Sequence, residues 1–151
     1  MVVRHRRYGG TPQSTLAGYI VEHAPQWVDA WLAEVRQERT TPSYHTYADV
    51  EELKRDTLAL YHYLALWLRT GEWDPRIDTH YHRIGRDRRA AGFSLSEVIS
   101  AILLAKRHLW NGIIVGKQMS VALELQVSKS ISLFYDKAIY HTILGFEGVD
   151  A

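Results

Sequence analysis

The sequence predicts an all-α fold, a bundle of five to six helices. Apolar residues recur at spacings of three and four along most of the chain, as they do on one face of a helix. Residues typical of helix starts and stops bracket these stretches. No segment has the alternation and turn chemistry of a paired strand. These three observations favour helices packed on helices around one core.

The composition narrows the classes of function. The 151 residues are 46% apolar, which is enough for one sizeable core, and 18 basic against 17 acidic residues give a formal net charge of +1. We therefore expect no nucleic-acid partner and no general attraction to an anionic membrane. The absence of cysteine excludes disulfides, thiolate catalysis and zinc held by cysteine.

Neither a secretion signal nor a membrane span is expected. The basic start of the chain is not followed by the apolar core of a signal peptide. The longest apolar run, residues 98–115, is interrupted by polar and charged side chains. A reducing cytoplasm is the expected location.

The first third of the chain contains a tail, helices and a loop. Residues 1–14 are basic and contain glycine, and we expect a flexible tail there. Residues 15–38 are predicted to be helical, with a break at Pro25 that separates a lead-in helix from a second one. Residues 39–48 are predicted to form a loop. The tryptophans of the first helix are interpreted as core residues.

The next helix is predicted over residues 50–69. Asp49 with Glu52 forms a capping box at its start, and Gly71 ends it. The acidic run that begins this helix is interpreted as a solvated first turn. It comprises Asp49, Glu51, Glu52 and Asp56.

The most strongly marked feature is a helix, a corner and a second helix over residues 75–116. Asp74 and Pro75 suit the N-cap and first position of a helix. Gly92 suits the left-handed residue that ends it. Ser94 and Glu97 then form a capping box for the helix predicted over residues 95–115. Phe93 and Val98 stand at the positions of a hydrophobic staple.

Arg88 is the anomaly in this corner. It lies on the apolar face of the first helix with Ile77, Tyr81, Ile84 and Ala91. Such a guanidinium either extends to water along its aliphatic stem or pairs with a buried carboxylate or a ligand anion. We favour extension to water and leave the ion pair open.

The last helix is predicted over residues 119–144 and carries two apolar rows. The first row is Val127, Ile131, Phe134, Ala138 and His141. The second row is Val121, Leu125, Tyr135 and Ile139. A helix that is apolar on two sides is buried on two sides, so the first row is expected in the core and the second in a homodimer interface.

The sequence contains no recognisable catalytic or metal motif. Neither HExxH nor Glu-x-x-His occurs, and there is no glycine-rich phosphate loop and no GxSxG. We expect no enzyme, no catalytic residue and no metal site. The histidines on the long helices are expected to be structural. If haem binds, His62, His82 and His108 are the candidate contacts.

In this order, the motifs resemble a known family. They are residues 86–98 (RDRRAAGFSLSEV), the long apolar helix, and the last helix with AIYH at 138–141 and GFE at 145–147. This series is similar to the N-terminal sensor domain of RsbR-type stressosome co-antagonists, a module that also precedes some bacterial histidine kinases. The resemblance covers most of residues 15–147, which we take as one sensor domain.

The resemblance implies a globin-like, haem-free and dimeric signalling domain that acts on an output domain or a stressosome-like partner. In haem-binding relatives of the globin type, the proximal histidine lies four residues before the corner glycine, where this chain has Arg88. No cofactor is therefore expected. The chain ends at Ala151 without an output domain, which fits either a solitary module or one excised from a longer protein.

Two functional hypotheses result. The first is a non-catalytic signalling domain that passes a signal through its last helix. The alternative is a globin-type protein that binds haem or a small apolar, fatty-acid-like ligand. A Soret band on addition of haem distinguishes them. The pocket candidates are Tyr81, Ile84, Arg88, Phe93 and Ile102.

Overall fold

The computed structural model describes residues 11–116 and 119–150. Within these ranges the chain forms six α-helices and no strand, which confirms the all-α prediction. The helices are α1 (Pro12–Val35), α2 (Pro42–Thr46), α3 (Val50–Thr70), α4 (Pro75–Ala90), α5 (Leu95–Gly116) and α6 (Val121–Glu147).

Two packed helix groups build the bundle. Helix α1 packs along α3 and α5, and α4 packs along α6. The long α3 and α6 also contact each other, so one core runs through both groups. Its largest fully buried side chains include Tyr61 from α3, Tyr81 from α4, and Phe134 and Tyr135 from α6. Trp27 and Trp31 are buried in this core, as predicted.

Helix α1 differs from its prediction. It begins at Pro12, where the Thr11 side chain accepts a hydrogen bond from the Ser14 N–H at 3.0 Å, and it continues through Pro25 without a break. The predicted break is wrong because a proline removes only one backbone N–H bond. Buried residues on both sides, Ala24 and Trp27, hold the helix together across it. Residues 1–10 of the predicted tail lie outside the described residues.

The loop predicted over residues 39–48 contains the short helix α2, so that prediction is wrong at its centre. Pro42 occupies the first turn, where a missing N–H costs nothing. Tyr44 is buried and anchors the helix in the core. The Thr41 hydroxyl donates to the Val35 carbonyl at 2.8 Å, which ties the start of α2 to the end of α1.

The predicted N-cap residues of α3, α4 and α5 are confirmed, but the capping box predicted at α3 is only half formed, because the Glu52 carboxylate binds Arg88. Asp49 accepts from the Glu52 N–H at 3.0 Å, and Asp74 accepts from the Arg76 N–H at 2.9 Å. Gly71 and Gly92 have φ of 68° and 90°, the left-handed conformation that ends a helix. At the corner, the Phe93 N–H donates to the Arg88 carbonyl, and Ala91, predicted on the buried face, is exposed instead.

Helix α5 is long and apolar enough to cross a membrane when judged by length and composition alone. Core helices share that property, and α5 contributes eight buried residues to the bundle. Helix α5 ends at Gly116, the residue that was predicted to terminate it.

Helices α4 and α6 cross at two glycines. A Cβ added to Gly85 would stand 2.1 Å from the Thr142 carbonyl oxygen, and one added to Gly145 would stand 2.0 Å from the His82 carbonyl oxygen. Any side chain at either position would therefore force the two backbones apart. This contact fixes the position of the end of α6 relative to α4.

Candidate functional site

A buried cluster of charged residues lies between α3 and α4. Arg88 is only 3% exposed, and its guanidinium donates to Glu52 Oε2 at 2.8 Å and to Asp56 Oδ2 at 3.1 Å. The preferred prediction that Arg88 extends to water is wrong, and the ion-pair alternative holds. The interpretation of Glu52 and Asp56 as part of a solvated turn is also wrong, because both face the interior side of α3.

A second arginine completes the cluster from the rim. Arg83, one and a half turns before Arg88 on α4, donates to Asp56 Oδ1 at 3.0 Å and to Asp87 Oδ2 at 3.2 Å. Asp56 thus accepts one arginine on each of its oxygens. A carboxylate that is 5% exposed needs such compensation, because an unpaired buried charge is strongly unfavourable.

Aromatic rings enclose the Arg88 guanidinium. Its Cζ lies 5.8 Å from the ring centroids of both Tyr47 and Phe93, within the range of cation–π attraction. The Tyr47 hydroxyl donates to the Glu52 carboxylate at 3.3 Å. Burial raises the pKa of the neighbouring Tyr44 to about 12, against an opposing effect of the Arg88 charge. The rings of Tyr47 and Phe93 therefore cover the guanidinium on this side.

A cavity of about 30 Å³ adjoins the cluster. Four of the five predicted pocket residues line it: Tyr81, Ile84, Arg88 and Ile102. Phe93 does not; it stacks against the Arg88 guanidinium instead. This volume has room for a few water-sized groups and is far below the roughly 300–1,000 Å³ of a typical ligand pocket.

Glu97 links the corner to α2. Its carboxylate accepts from the Ser94 N–H at 3.0 Å, as the predicted capping box requires, and from the Ser43 hydroxyl at 2.9 Å. It also accepts from the Ser43 N–H at the start of α2. Although burial opposes ionisation, these hydrogen bonds together lower the pKa of Glu97 below its ordinary value. The link to Ser43 was not predicted, since nothing local connects residues 43 and 97.

The three histidines named as haem contacts lie apart from the cavity lining. His62 is exposed on α3. His108 Nε2 lies 2.6 Å from Glu34 Oε1, and His82 Nε2 contacts the Val149 carbonyl oxygen. Across residues 11–116 and 119–150, no group of three or more histidine and acidic side chains is arranged to hold a metal ion.

The end of α6 is fastened to α4 immediately beside the charge cluster. Arg89, the neighbour of Arg88, donates to the Phe146 carbonyl at 2.7 Å and lies 5.5 Å from the Phe146 ring centroid. The His82–Val149 contact and the crossing at Gly85 and Gly145 act on the same segment. Helix α4 thus carries the charge cluster on one side and holds the end of α6 on another.

The outer face of α6 differs from the predicted interface row. Val121 and Leu125 are exposed, at 76% and 67%, but Tyr135 is buried at 1% and Ile139 is partly buried against the core. The prediction is therefore wrong for Tyr135, which contributes to the core. The first predicted row is buried except for His141, which is half-buried. At 3.6 residues per turn, Tyr135 and Ile139 lie at the edge of the core face rather than opposite it.

Sequence reasoning missed the residues that do lie opposite the core. Leu133 and Tyr140 are exposed, at 45% and 57%, and follow Leu125 along the helix. Lys129 and Asp136 are exposed between them. Residues 125, 129, 133, 136 and 140 follow at intervals of three and four and so form a stripe along the helix. The angle of each residue around the helix axis, taken relative to the first apolar row, indicates this stripe from the sequence.

Comparison with known proteins identifies the family of this bundle. The family model described as the RsbT co-antagonist protein rsbRD N-terminal domain matches residues 25–147. No curated protein and no solved structure matches the chain. The matched segment runs from the middle of α1 to the last residue of α6 and includes the charge cluster, the corner and the α4–α6 crossing. The chain therefore belongs to the RsbT co-antagonist rsbRD N-terminal domain family, a family of stressosome-associated signalling domains.

Proposed function

We propose that this chain is a non-catalytic, haem-free, globin-like signalling domain of the cytoplasm that works as a homodimer. The outer face of α6 forms the dimer interface, and the end of α6 passes a change of packing to an output domain or a stressosome-like partner. The family supports the signalling role. The observation that carries the dimer is the exposure of Val121, Leu125 and Leu133 on one surface of α6.

Exposed side chains of this size favour a covered surface. Burial of a leucine or valine side chain is worth roughly 1.5–3 kcal/mol before the costs of association. A two-fold dimer uses the same patch on both copies, so each buried residue counts twice. Tyr140 adds a ring at the far end of the stripe, with a hydroxyl that suits the polar rim of an interface.

The contacts of α4 support a route for the signal. A shift of α4 moves Arg88 within its carboxylates and Arg89 against the Phe146 carbonyl at the same time, because the two residues are adjacent. At Gly85 and Gly145 the backbones of α4 and α6 are in direct contact, so the two helices move together. A ligand or partner that prefers one position of α4 would therefore also shift the end of α6.

Light scattering of interface variants tests the proposal. Leu125→Glu combined with Leu133→Glu places two charges per chain on the stripe, and we expect a folded monomer where the wild type is a dimer. The matched control is Leu103→Glu, which charges a leucine of similar exposure on α5, at 46%. The control is expected to remain dimeric with an unchanged far-UV circular dichroism spectrum.

Two outcomes would oppose the interface. A double variant that remains a dimer would show that another surface pairs the chains. A Leu103→Glu variant that is also monomeric would point to α5 in place of the stripe on α6. Neither outcome would depend on identifying the signal.

A further inference from the structure

We propose that the two α6 helices pair in antiparallel orientation, with Lys129 of each copy opposite Asp136 of the other. This inference rests on the proposed dimer and adds its geometry. It follows from one stripe of residues on α6, in which Ser132 is half-buried and the other five are exposed: Leu125, Lys129, Leu133, Asp136 and Tyr140.

The stripe lies directly opposite the core face of α6. At 3.6 residues per turn, its six members fall within a sector of about 100°, and the buried residues Val127, Ile131, Phe134 and Ala138 are centred on the other side. A shallow groove runs along it between Leu125 and Asp136. Ser132 leaves room at its centre for a side chain from a facing helix.

The residues of the stripe can pair with the same residues of a second α6 that runs in the opposite direction. When a second α6 runs antiparallel, so that Ser132 of one copy meets Leu133 of the other, Lys129 meets Asp136 and Leu125 meets Tyr140. Every one of these pairs occurs twice by symmetry. Self-complementarity of this kind is what a two-fold interface requires, and it identifies the occupant of the stripe as a second copy of this chain.

The charges decide the orientation. Within the described residues, Lys129 and Asp136 each lack an ion-pair partner in their own chain, and they are seven positions apart. A parallel pair would place lysine against lysine and aspartate against aspartate. An antiparallel pair replaces both repulsions by two attractions. Exposed ion pairs contribute little affinity, but they discriminate between orientations.

The geometry has a consequence for output. With Ser132 near the two-fold axis, the C-terminal ends of the two α6 helices lie about 40 Å apart along the helix direction, at a rise of about 1.5 Å per residue. Each copy then presents its own α4–α6 contact at an opposite end of the dimer.

Disulfide cross-linking tests the orientation, because the chain contains no cysteine and each introduced cysteine is unique. Ser132→Cys stands beside the axis and is expected to cross-link to itself on oxidation. Ala122→Cys, exposed on the same side of α6, is the matched control. In the antiparallel dimer its two copies are about 30 Å apart, and we expect no cross-link.

A parallel dimer gives the opposite result for the control. Efficient cross-linking of Ala122→Cys, or none at Ser132→Cys, would overturn the orientation while the dimer itself stands. A wild-type monomer in light scattering would overturn the dimer and the orientation together. The two failures are therefore distinguishable.

Charge exchange gives a second readout without cysteine. Lys129→Glu or Asp136→Lys alone places like charges opposite each other in the antiparallel dimer, and each is expected to raise the dissociation constant about tenfold. The double variant restores two opposite pairs and is expected to regain the wild-type value. Unchanged affinity in both single variants would overturn the proposal.

Discussion

Replacement of Arg88 by methionine removes the charge at the centre of the buried cluster and keeps an unbranched side chain of similar reach. Asp56 and Glu52 then lose hydrogen bonds of 3.1 and 2.8 Å from the guanidinium. Removal of one partner of a buried ion pair typically costs 3–5 kcal/mol, because the other charge is left uncompensated. Asp56 keeps its contact with Arg83 at 3.0 Å, so we expect the lower end, about 3 kcal/mol.

Urea denaturation followed by circular dichroism measures this cost. The matched control is Arg86→Met, which changes an exposed arginine on the same helix whose contact with Asp87 is 3.4 Å long. Surface changes of this kind usually alter the free energy of unfolding by less than about 0.5 kcal/mol.

A compensated variant separates the lost charge from the lost packing. Arg88→Met combined with Glu52→Gln and Asp56→Asn leaves no unpaired charge in the interior, so we expect it to recover much of the stability lost in Arg88→Met. A cost below about 1 kcal/mol for Arg88→Met, as for a surface pair, would refute the reasoning. So would a triple variant less stable than the single one.

Three further changes test the packing. Gly85→Ala is expected to cost about 1–3 kcal/mol in denaturant melts because its Cβ would strike the Thr142 carbonyl, whereas Gly18→Ala, with open space around it, is expected to stabilise α1 by about 0.5–1 kcal/mol. Equal changes in stability for Gly85→Ala and Gly18→Ala would argue against the close contact of α4 and α6. Glu97→Gln is expected to lower stability at neutral pH. Because the pKa of Glu97 is lowered in the folded protein, the contribution of its carboxylate is present above the unfolded-state pKa and lost as pH falls through the folded-state pKa. The difference in the free energy of unfolding between wild type and Glu97→Gln should therefore become smaller as the pH falls. A difference that stays constant with pH would contradict this role of the carboxylate. Gly92→Ala should cost about 1 kcal/mol at its φ of 90°, and a neutral result would contradict the left-handed corner.

The local features of the fold were predictable because they depend on neighbouring residues. The caps at Asp49, Asp74 and Ser94 and the left-handed glycines at 71 and 92 each act within four residues of chain. Such signals are complete in the sequence. The location of the corner followed from them, and the first apolar row of α6 followed from helical periodicity.

The candidate site was less predictable because its contacts are distant in sequence. Arg88 meets Asp56 and Glu52 across 32 and 36 residues, and Glu97 meets Ser43 across 54. Periodicity placed Arg88 on the buried face but did not identify its partners. The sequence left an ion pair open as an alternative, and the contacts of Arg88 with Glu52 and Asp56 establish it.

The errors on α1 and α6 have different causes. Pro25 was predicted to break the helix because its local effect is unfavourable, whereas the burial of Ala24 and Trp27 on its two sides outweighs one lost hydrogen bond. The second row of α6 was chosen for its apolar character alone. Tyr135 belongs to the core, since a wide apolar face on a long helix is shared between the core and its margins.

Sedimentation equilibrium of the unmodified chain tests whether two copies pair through α6. We expect a mass of about twice the 17.4 kDa of one chain at tens of micromolar, with reversible dissociation on dilution. A mass of one chain throughout that range would contradict it, because the stripe on α6 would then remain in water with no second copy to cover it.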